Sequence, residues 1–165
     1  MSGFACLVIA DESPEFPAAL TYASLLAKTA GWRIVMLRVI EPSDPAPWAS
    51  ISEEMRRQAQ AAAESLTQRF AAEVWAESGV TAEPILIEGE LRPEIRKLLE
   101  ADPAIKLVVL AAAHGPGGPG PLVASLAKGG LGGRAVPVLV VPGWLSKDEV
   151  RSLALPVPSE PTPPA

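Results

Sequence analysis

The sequence has few of the residues on which most catalytic and metal sites depend. Among 165 residues there is one cysteine, Cys6, and one histidine, His114. A single thiol forms no internal disulfide and no cysteine-rich zinc site, so a reducing cytoplasmic environment is the simplest interpretation. A lone histidine without a neighbouring serine, cysteine or carboxylate motif builds no catalytic triad. Because Cys6 lies in an apolar run, we expect a buried structural residue. We therefore predict no catalytic residues and no metal site.

Basic residues and long hydrophobic segments are also scarce. The 14 Lys and Arg residues are outnumbered by 19 Asp and Glu residues, and they are scattered singly or in pairs. This distribution excludes a general nucleic-acid-binding surface. Residues 107–127 carry no Lys, Arg, Asp or Glu, but glycines and prolines interrupt them, so no membrane span is predicted. Residues 1–10 lack a basic leader, and we expect no signal peptide.

Five short apolar runs indicate β-strands. Most of them are continuous rather than alternating, which is typical of strands covered by helices on both faces. Segments with helical spacing separate the runs. This alternation predicts a single α/β domain with a parallel sheet, because each parallel crossover needs a connecting element. The runs are residues 4–10, 34–40, 85–87, 107–112 and 136–141.

Helical spacing predicts three helices and a weak fourth. The first ends at Gly31 and begins near Ser13-Pro14 or Pro17. The second begins at a capping box from Ser50 to Glu53, and the third covers residues 93–101. Four glycines within 128–133 weaken the fourth helix, which we expect to be short or frayed. The apolar stripe of the first helix contains Phe16, Leu20, Ala23, Ala27 and Ala30, and that of the second contains Met55, Ala59, Ala62, Leu66, Phe70 and Val74.

Two segments have a different composition from the rest. Residues 41–48 contain three prolines and are predicted to form a loop over the carboxyl ends of the strands. Prolines also crowd the last ten residues. We therefore predict one domain over residues 1–143 and an unstructured, proline-rich tail over 144–165.

Ligands of parallel α/β sheets bind at the carboxyl ends of the strands, so the segments after each strand are the candidate site. Asp11 follows the first run and either contacts a ligand or organises the strand-to-helix turn. His114 either contacts a phosphate or bonds the backbone of its loop. The glycines of 115–120 favour a phosphate-binding loop, whereas Pro116, Pro119 and Pro121 remove amide donors from it. The chain has neither a Walker motif nor a GxGxxG fingerprint.

The order and spacing of five short motifs resemble the universal stress protein family over residues 4–142. This resemblance implies a Rossmann-like sheet with strand order 3-2-1-4-5. It also implies a homodimer joined through the last strand, at Val136, Val138, Leu139, Val140 and Val141. The motifs are Cys6-Leu7-Val8-Ile9-Ala10-Asp11-Glu12-Ser13, Leu37-Arg38-Val39-Ile40-Glu41-Pro42, Glu88-Gly89, Leu107-Val108-Val109-Leu110 with His114-Gly115, and Val136-Pro137-Val138-Leu139-Val140-Val141.

The family's ATP motif, Gly-x2-Gly-x9-Gly-Ser/Thr, is degenerate in this chain. Its positions correspond to Ala112, Gly115, Ala124 and Ser125, with eight residues instead of nine between the second and third. Glu12 replaces the glycine of the first turn. The resemblance leaves three alternatives open: binding of ATP or AMP, with Mg²⁺ only alongside ATP; binding of a different small ligand; or no nucleotide binding. The binding residues that it implies are Ala10, Asp11, Val39, Ala112, His114, Gly115 and Ser125.

Three hypotheses of function follow. The first is a dimeric stress-response binding or regulatory module without catalytic turnover. The second is a slow ATP hydrolase that uses the same pocket, although no general base is evident. The third is an interaction scaffold that docks an unidentified protein through the altered loop and the tail.

Overall fold

The computed structural model describes residues 3–42 and 49–154, with side chains for 3–42 and 53–154. Five parallel strands form one sheet in the order β3-β2-β1-β4-β5, which confirms the predicted topology. The strands are β1 (Ala5–Ile9), β2 (Arg33–Ile40), β3 (Ala82–Glu88), β4 (Ile105–Ala112) and β5 (Val138–Pro142). The helices are α1 (Phe16–Ala30), α2 (Ala49–Ser78), α3 (Leu91–Ala101), α4 (Pro121–Leu126) and α5 (Lys147–Leu153).

The central strand β1 is buried on both faces, as its continuous apolar run predicts. Leu7 pairs with Val35 of β2 on one side and with Val108 of β4 on the other. Alternate residues of β1 enter two separate cores, one formed with α1, α2 and α5 and the other with α3 and α4. Cys6 is fully buried in the first core, and burial raises the pKa of its thiol to about 12. It is therefore the structural residue that its apolar context predicts.

Helix α1 confirms its predicted end and most of its predicted face, since Phe16, Leu20, Ala23 and Ala27 are buried whereas Ala30 is exposed. Phe16 begins the helix, Pro17 lies in its first turn, and Gly31 ends it in the left-handed conformation. The ring of Phe16 packs edge-on against that of Phe70 in α2, with centroids 4.8 Å apart. This contact fixes the start of α1 beside the carboxyl end of β1.

Helix α2 is longer than the sheet that it covers. Its 30 residues span about 45 Å, whereas the eight residues of β2 span about 26 Å. Leu66, Phe70 and Val74 are buried as predicted, but every residue of 53–62 is exposed. The predicted stripe is therefore wrong for Met55, Ala59 and Ala62, because no core formed by the described residues lies beneath that part of the helix. The predicted capping box lies outside the described side chains, as does the 43–48 part of the predicted loop.

Several other boundaries differ from the prediction. β3 includes Pro84, which is tolerated because the strand pairs on one side only within the described residues. α3 begins at Leu91 rather than at residue 93, and β5 begins at Val138 rather than at Val136. α4 has six residues, as expected for a short helix, and four glycines with positive φ follow it between 129 and 133.

Residues 147–153 form a helix, and the prediction that 144–165 is unstructured is wrong for this part. Ser146 and Glu149 form a capping box that begins α5. Val150 is fully buried in the core beside α1. The prediction extended the proline-rich composition of the last ten residues back to residue 144. The capping box lies upstream of these prolines and was therefore missed. Residues 155–165 of the predicted tail lie outside the described part of the chain.

Candidate functional site

A cleft of about 220 Å³ opens at the carboxyl ends of β1, β2 and β4. The strand order reverses between β1 and β4, and such a switch point is where ligands bind in open α/β sheets. One wall comes from the turn between β1 and α1, and the other from the segment between β4 and α4. Of the predicted binding residues, Ala10, Asp11 and Val39 line the cleft.

Asp11 organises the β1–α1 turn and also faces the cleft. Its Oδ1 accepts hydrogen bonds from the backbone N–H of Ser13 at 2.9 Å and from the Ser13 hydroxyl at 2.5 Å. Glu15, not Asp11, is the residue that precedes the first turn of α1. Among the described residues, none donates a hydrogen bond to Oδ2 of Asp11. The two roles left open by the sequence are thus compatible, because one carboxylate oxygen holds the turn and the other is available to a ligand.

Apolar side chains form most of the remaining surface of the cleft. Val39 lies at the end of β2, and Leu91 follows at the start of α3. Leu110 and Ala111 of β4 and Leu122 of α4 continue the apolar wall. Such a surface favours a flat ring system, which gains from removal of apolar area from water.

The cleft also contains charged residues that the sequence analysis did not single out, namely Glu15, Arg38 and Glu41. Arg38 donates a hydrogen bond from Nη1 to the carbonyl oxygen of Ala10 at 3.2 Å. Its Nε is buried without a hydrogen-bond partner among the described residues. A guanidinium within the apolar run of β2 is a signal that could have identified this residue from the sequence.

The other predicted binding residues do not line the cleft. Ala112 is flanked by Ala111 and Ala113, which do line it. Ser125 is buried, and its hydroxyl donates to the carbonyl oxygen of Leu122 at 2.7 Å. His114 lies outside the cleft and packs against Trp144, with ring centroids 4.6 Å apart. Gly115 begins the loop with a φ of 123°.

The loop after β4 is closed by its own backbone hydrogen bonds. The N–H of Ala113 donates to Pro119 at 3.1 Å, and the N–H of Gly118 donates to Gly115 at 3.2 Å. Proline nitrogens, including that of Pro121 at the start of α4, carry no hydrogen. The loop thus uses two of its six non-proline amides, and within the described residues those of His114, Gly115, Gly117 and Gly120 make no backbone hydrogen bond.

The residues predicted for the dimer interface differ from one another in position and in burial. Val138, Leu139 and Val140 lie in β5, which pairs with β4 on one side, and Val140 is 38% exposed. Val141 is buried in the core of the chain itself, and Val136 precedes the strand. Within the described residues, no strand pairs with the outer edge of β5.

The described residues contain no cluster of three or more His, Cys, Asp or Glu side chains arranged to hold a metal ion. In the same part of the chain, no helix combines the length and apolarity needed to cross a membrane.

The parallel sheet and the cleft at its switch point define a Rossmann-like α/β domain. Comparison with family models makes the assignment specific: the universal stress protein family matches residues 5–142. The chain belongs to this family. A comparison with curated proteins finds no significant match.

Solved structures share the fold at low sequence identity. Universal stress protein UspA from Lactobacillus plantarum is 20% identical, with a TM-score of 0.70, over 86% of this chain and 99% of that one. The Archaeoglobus fulgidus protein in complex with dAMP is 15% identical, with a TM-score of 0.56, over 86% and 99%. A family member from Arabidopsis thaliana with AMP bound is 17% identical, with a TM-score of 0.59, over 84% and 91%.

Proposed function

We propose that this chain is a cytoplasmic, homodimeric universal stress protein that binds an adenine-based ligand in the cleft and acts as a regulatory module without catalytic turnover. The observation that carries the proposal is the cleft at the switch point, with Asp11 and Val39 among its lining residues. Structural neighbours from Archaeoglobus fulgidus and Arabidopsis thaliana hold dAMP and AMP. Family membership and fold support the same ligand class here.

The chemistry of the cleft suits the nucleoside part of such a ligand. The apolar wall that includes Val39 and Leu110 matches the face of a purine ring. The Oδ2 atom of Asp11 matches a hydroxyl or amino group that donates a hydrogen bond. A module of this kind recognises its ligand by shape and by a few hydrogen bonds, and needs no general base.

Calorimetric titration of the full-length protein with adenosine, AMP and ATP, with and without Mg²⁺, tests ligand binding. The informative variant is Asp11→Asn, because the amide oxygen preserves the bonds from Ser13 while the amide nitrogen replaces an acceptor by a donor. We expect about a tenfold weaker affinity from the loss of one charge-assisted hydrogen bond. Glu12→Gln, an exposed neighbour outside the cleft lining, is the matched control. Failure of all three ligands to bind at millimolar concentration would overturn the proposal.

The absence of turnover is tested separately. Asp11 accepts a hydrogen bond from the Ser13 hydroxyl, but no third side chain among the described residues orients this pair, which supports binding without hydrolysis. Incubation with ATP and Mg²⁺ should release phosphate at the rate of the buffer alone. Release above that rate that is lost in Asp11→Asn would establish the hydrolase alternative.

The homodimer is proposed through the outer edge of β5. An unpaired apolar edge strand exposes hydrogen-bonding groups that a second copy of the same strand would satisfy. Val140→Lys places a charge on this edge and should yield a monomer by light scattering, with unchanged circular dichroism. Trp75→Lys, at an exposed position on α2, is the control and should remain dimeric. A dimer in Val140→Lys would contradict the proposed interface.

A scaffold role is the second candidate, and two exposed apolar side chains near the end of the described chain favour it. Trp144 is 56% exposed and Leu153 is 60% exposed, and both lie beyond the family match. Because α5 is packed on the domain, the truncation that tests the tail should fall after Ala154 rather than after Gly143. Loss of a pulled-down partner on this truncation, with the oligomer intact, would support the scaffold.

A further inference from the structure

We propose that the cleft selects an unphosphorylated purine nucleoside over its phosphate esters; this rests on the proposed function, because it specifies the ligand of the same site. The first observation is the balance of charge. Among the described residues that line the cleft, the carboxylates of Asp11, Glu15 and Glu41 stand against the single guanidinium of Arg38. The cleft is therefore net negative, and each phosphate that enters it meets an unfavourable potential.

The distances involved are too short for salt at physiological concentration to remove this effect. The Debye length at physiological ionic strength is about 8 Å, which is comparable to the width of a cleft of about 220 Å³. A charged group bound in the cleft thus lies within about one Debye length of the carboxylates that line the cleft. A ligand with several negative charges is disfavoured wherever its phosphates are placed.

The second observation is the scarcity of phosphate donors. Pro119 and Pro121 line the cleft and carry no N–H group. The amide of Ala113, which also lines it, is already bonded to the carbonyl oxygen of Pro119. The hydroxyl of Ser125 donates to Leu122 instead of facing the cleft. Among the described residues of this segment that line the cleft, only Gly120, Leu122 and Val123 keep an unbonded amide for a phosphate.

The third observation is that two hydrogen-bonding groups at the cleft have no partner among the described residues. The Oδ2 atom of Asp11 is an acceptor that no described residue uses. The Nε of Arg38 is a buried donor with no partner among the described residues. An uncharged hydroxyl both donates and accepts, so the ribose of a nucleoside could satisfy both groups without adding charge. The apolar wall then remains for the purine.

The experiment measures the affinity of the full-length protein for a series that differs only at the 5′ position. The series is 5′-amino-5′-deoxyadenosine, adenosine, AMP and ATP, titrated at low ionic strength without added metal. We expect affinity to fall in that order, with adenosine about tenfold or more tighter than ATP. In Glu15→Gln/Glu41→Gln the difference between adenosine and ATP should shrink at least severalfold. Glu73→Gln, at an exposed position on α2 outside the cleft lining, should keep the wild-type difference.

The outcomes separate this inference from the proposed function. ATP or AMP binding as tightly as adenosine would overturn the inference and leave the adenine-binding module standing. Failure of all four compounds to bind would overturn both. A preference for adenosine that persists undiminished in Glu15→Gln/Glu41→Gln and at high salt would overturn the electrostatic selection, because exclusion by shape is insensitive to both changes.

Discussion

Arg151 of α5 and Glu77 near the end of α2 form an ion pair through two hydrogen bonds. Nε of Arg151 lies 2.7 Å from Oε1 of Glu77, and Nη2 lies 2.9 Å from Oε2. The planar guanidinium matches the carboxylate in this geometry, which a lysine would not reproduce. With the buried Val150 beside it, the pair attaches α5 to the domain although α5 lies beyond the family match.

Val150→Ala should destabilise the whole domain. The side chain is fully buried in the core that α5 shares with α1, so the substitution removes two methyl groups from a packed site. We expect a loss of about 2 kcal/mol in the free energy of unfolding, measured by urea denaturation. Leu153→Ala, on the same helix but 60% exposed, should change stability by less than about 0.5 kcal/mol. Equal effects of the two substitutions would show that α5 is not packed in solution.

Stability should fall in acid partly because of Glu77. Hydrogen bonds from Arg151 lower the pKa of Glu77 below its ordinary value of 4.5. Because the folded-state pKa is the lower one, this stabilisation is complete well above pH 4.5 and is lost as the pH falls through the folded-state pKa. Thermal melts from neutral pH down to about pH 3 should show a smaller acid loss in Glu77→Gln than in the wild type. Glu73→Gln, an exposed position on the same helix, should retain the wild-type profile.

Gly143→Ala should disturb both stability and the cleft. A Cβ at this position would lie 2.3 Å from Cβ of Glu15 and 2.6 Å from the carbonyl oxygen of Ala112. Both neighbours are held by backbone, so the β1–α1 turn or the end of β4 must move. We expect a loss of about 1–3 kcal/mol and weaker binding of adenosine by calorimetry. Gly117→Ala meets no atom within 4 Å and should be close to neutral.

Amide hydrogen exchange should distinguish the two helices that cover the same core. α4 has six residues and is followed by glycines 129–133, whereas α3 has 11 residues with Ile95 and Leu99 buried. We expect residues 121–133 to exchange faster than 95–101, because few tertiary contacts oppose local opening. Exchange as slow in α4 as in α3 would contradict this prediction.

The fold was predictable from the sequence because its central strands are continuous apolar runs. Residues 5–9 and 108–110 are all buried in the folded chain. Where a strand lies at the edge of the sheet, as β3 does, exposed residues such as Glu83 and Pro84 interrupt the pattern and the limits are lost. Helical periodicity also does not show where the core ends. Met55 therefore fitted the predicted apolar stripe of α2, although this stripe continues beyond the core into solvent.

The cleft was only partly predictable for a different reason. Asp11 and Val39 follow from their positions at the ends of strands, which a sequence specifies once the strands are known. The hydroxyl of Ser125 donates a hydrogen bond within α4. Its orientation depends on how the loop between β4 and α4, which is one residue shorter than the family motif, closes. Glu15 lies at the start of α1, whereas Arg38 and Glu41 lie at the end of β2, and only the folded topology brings these two places together.

The exposed part of α2 makes this helix longer than the packing of the core requires. Residues 53–62 extend about 15 Å beyond the packed part of the helix. An ion pair at 2.7 Å joins Arg56 in this part to Glu88 at the end of β3. Turns could be inserted or deleted between residues 57 and 62 without altering any buried contact of the sheet. This segment is therefore free to vary in length and composition during evolution, whereas residues 63–74 are not.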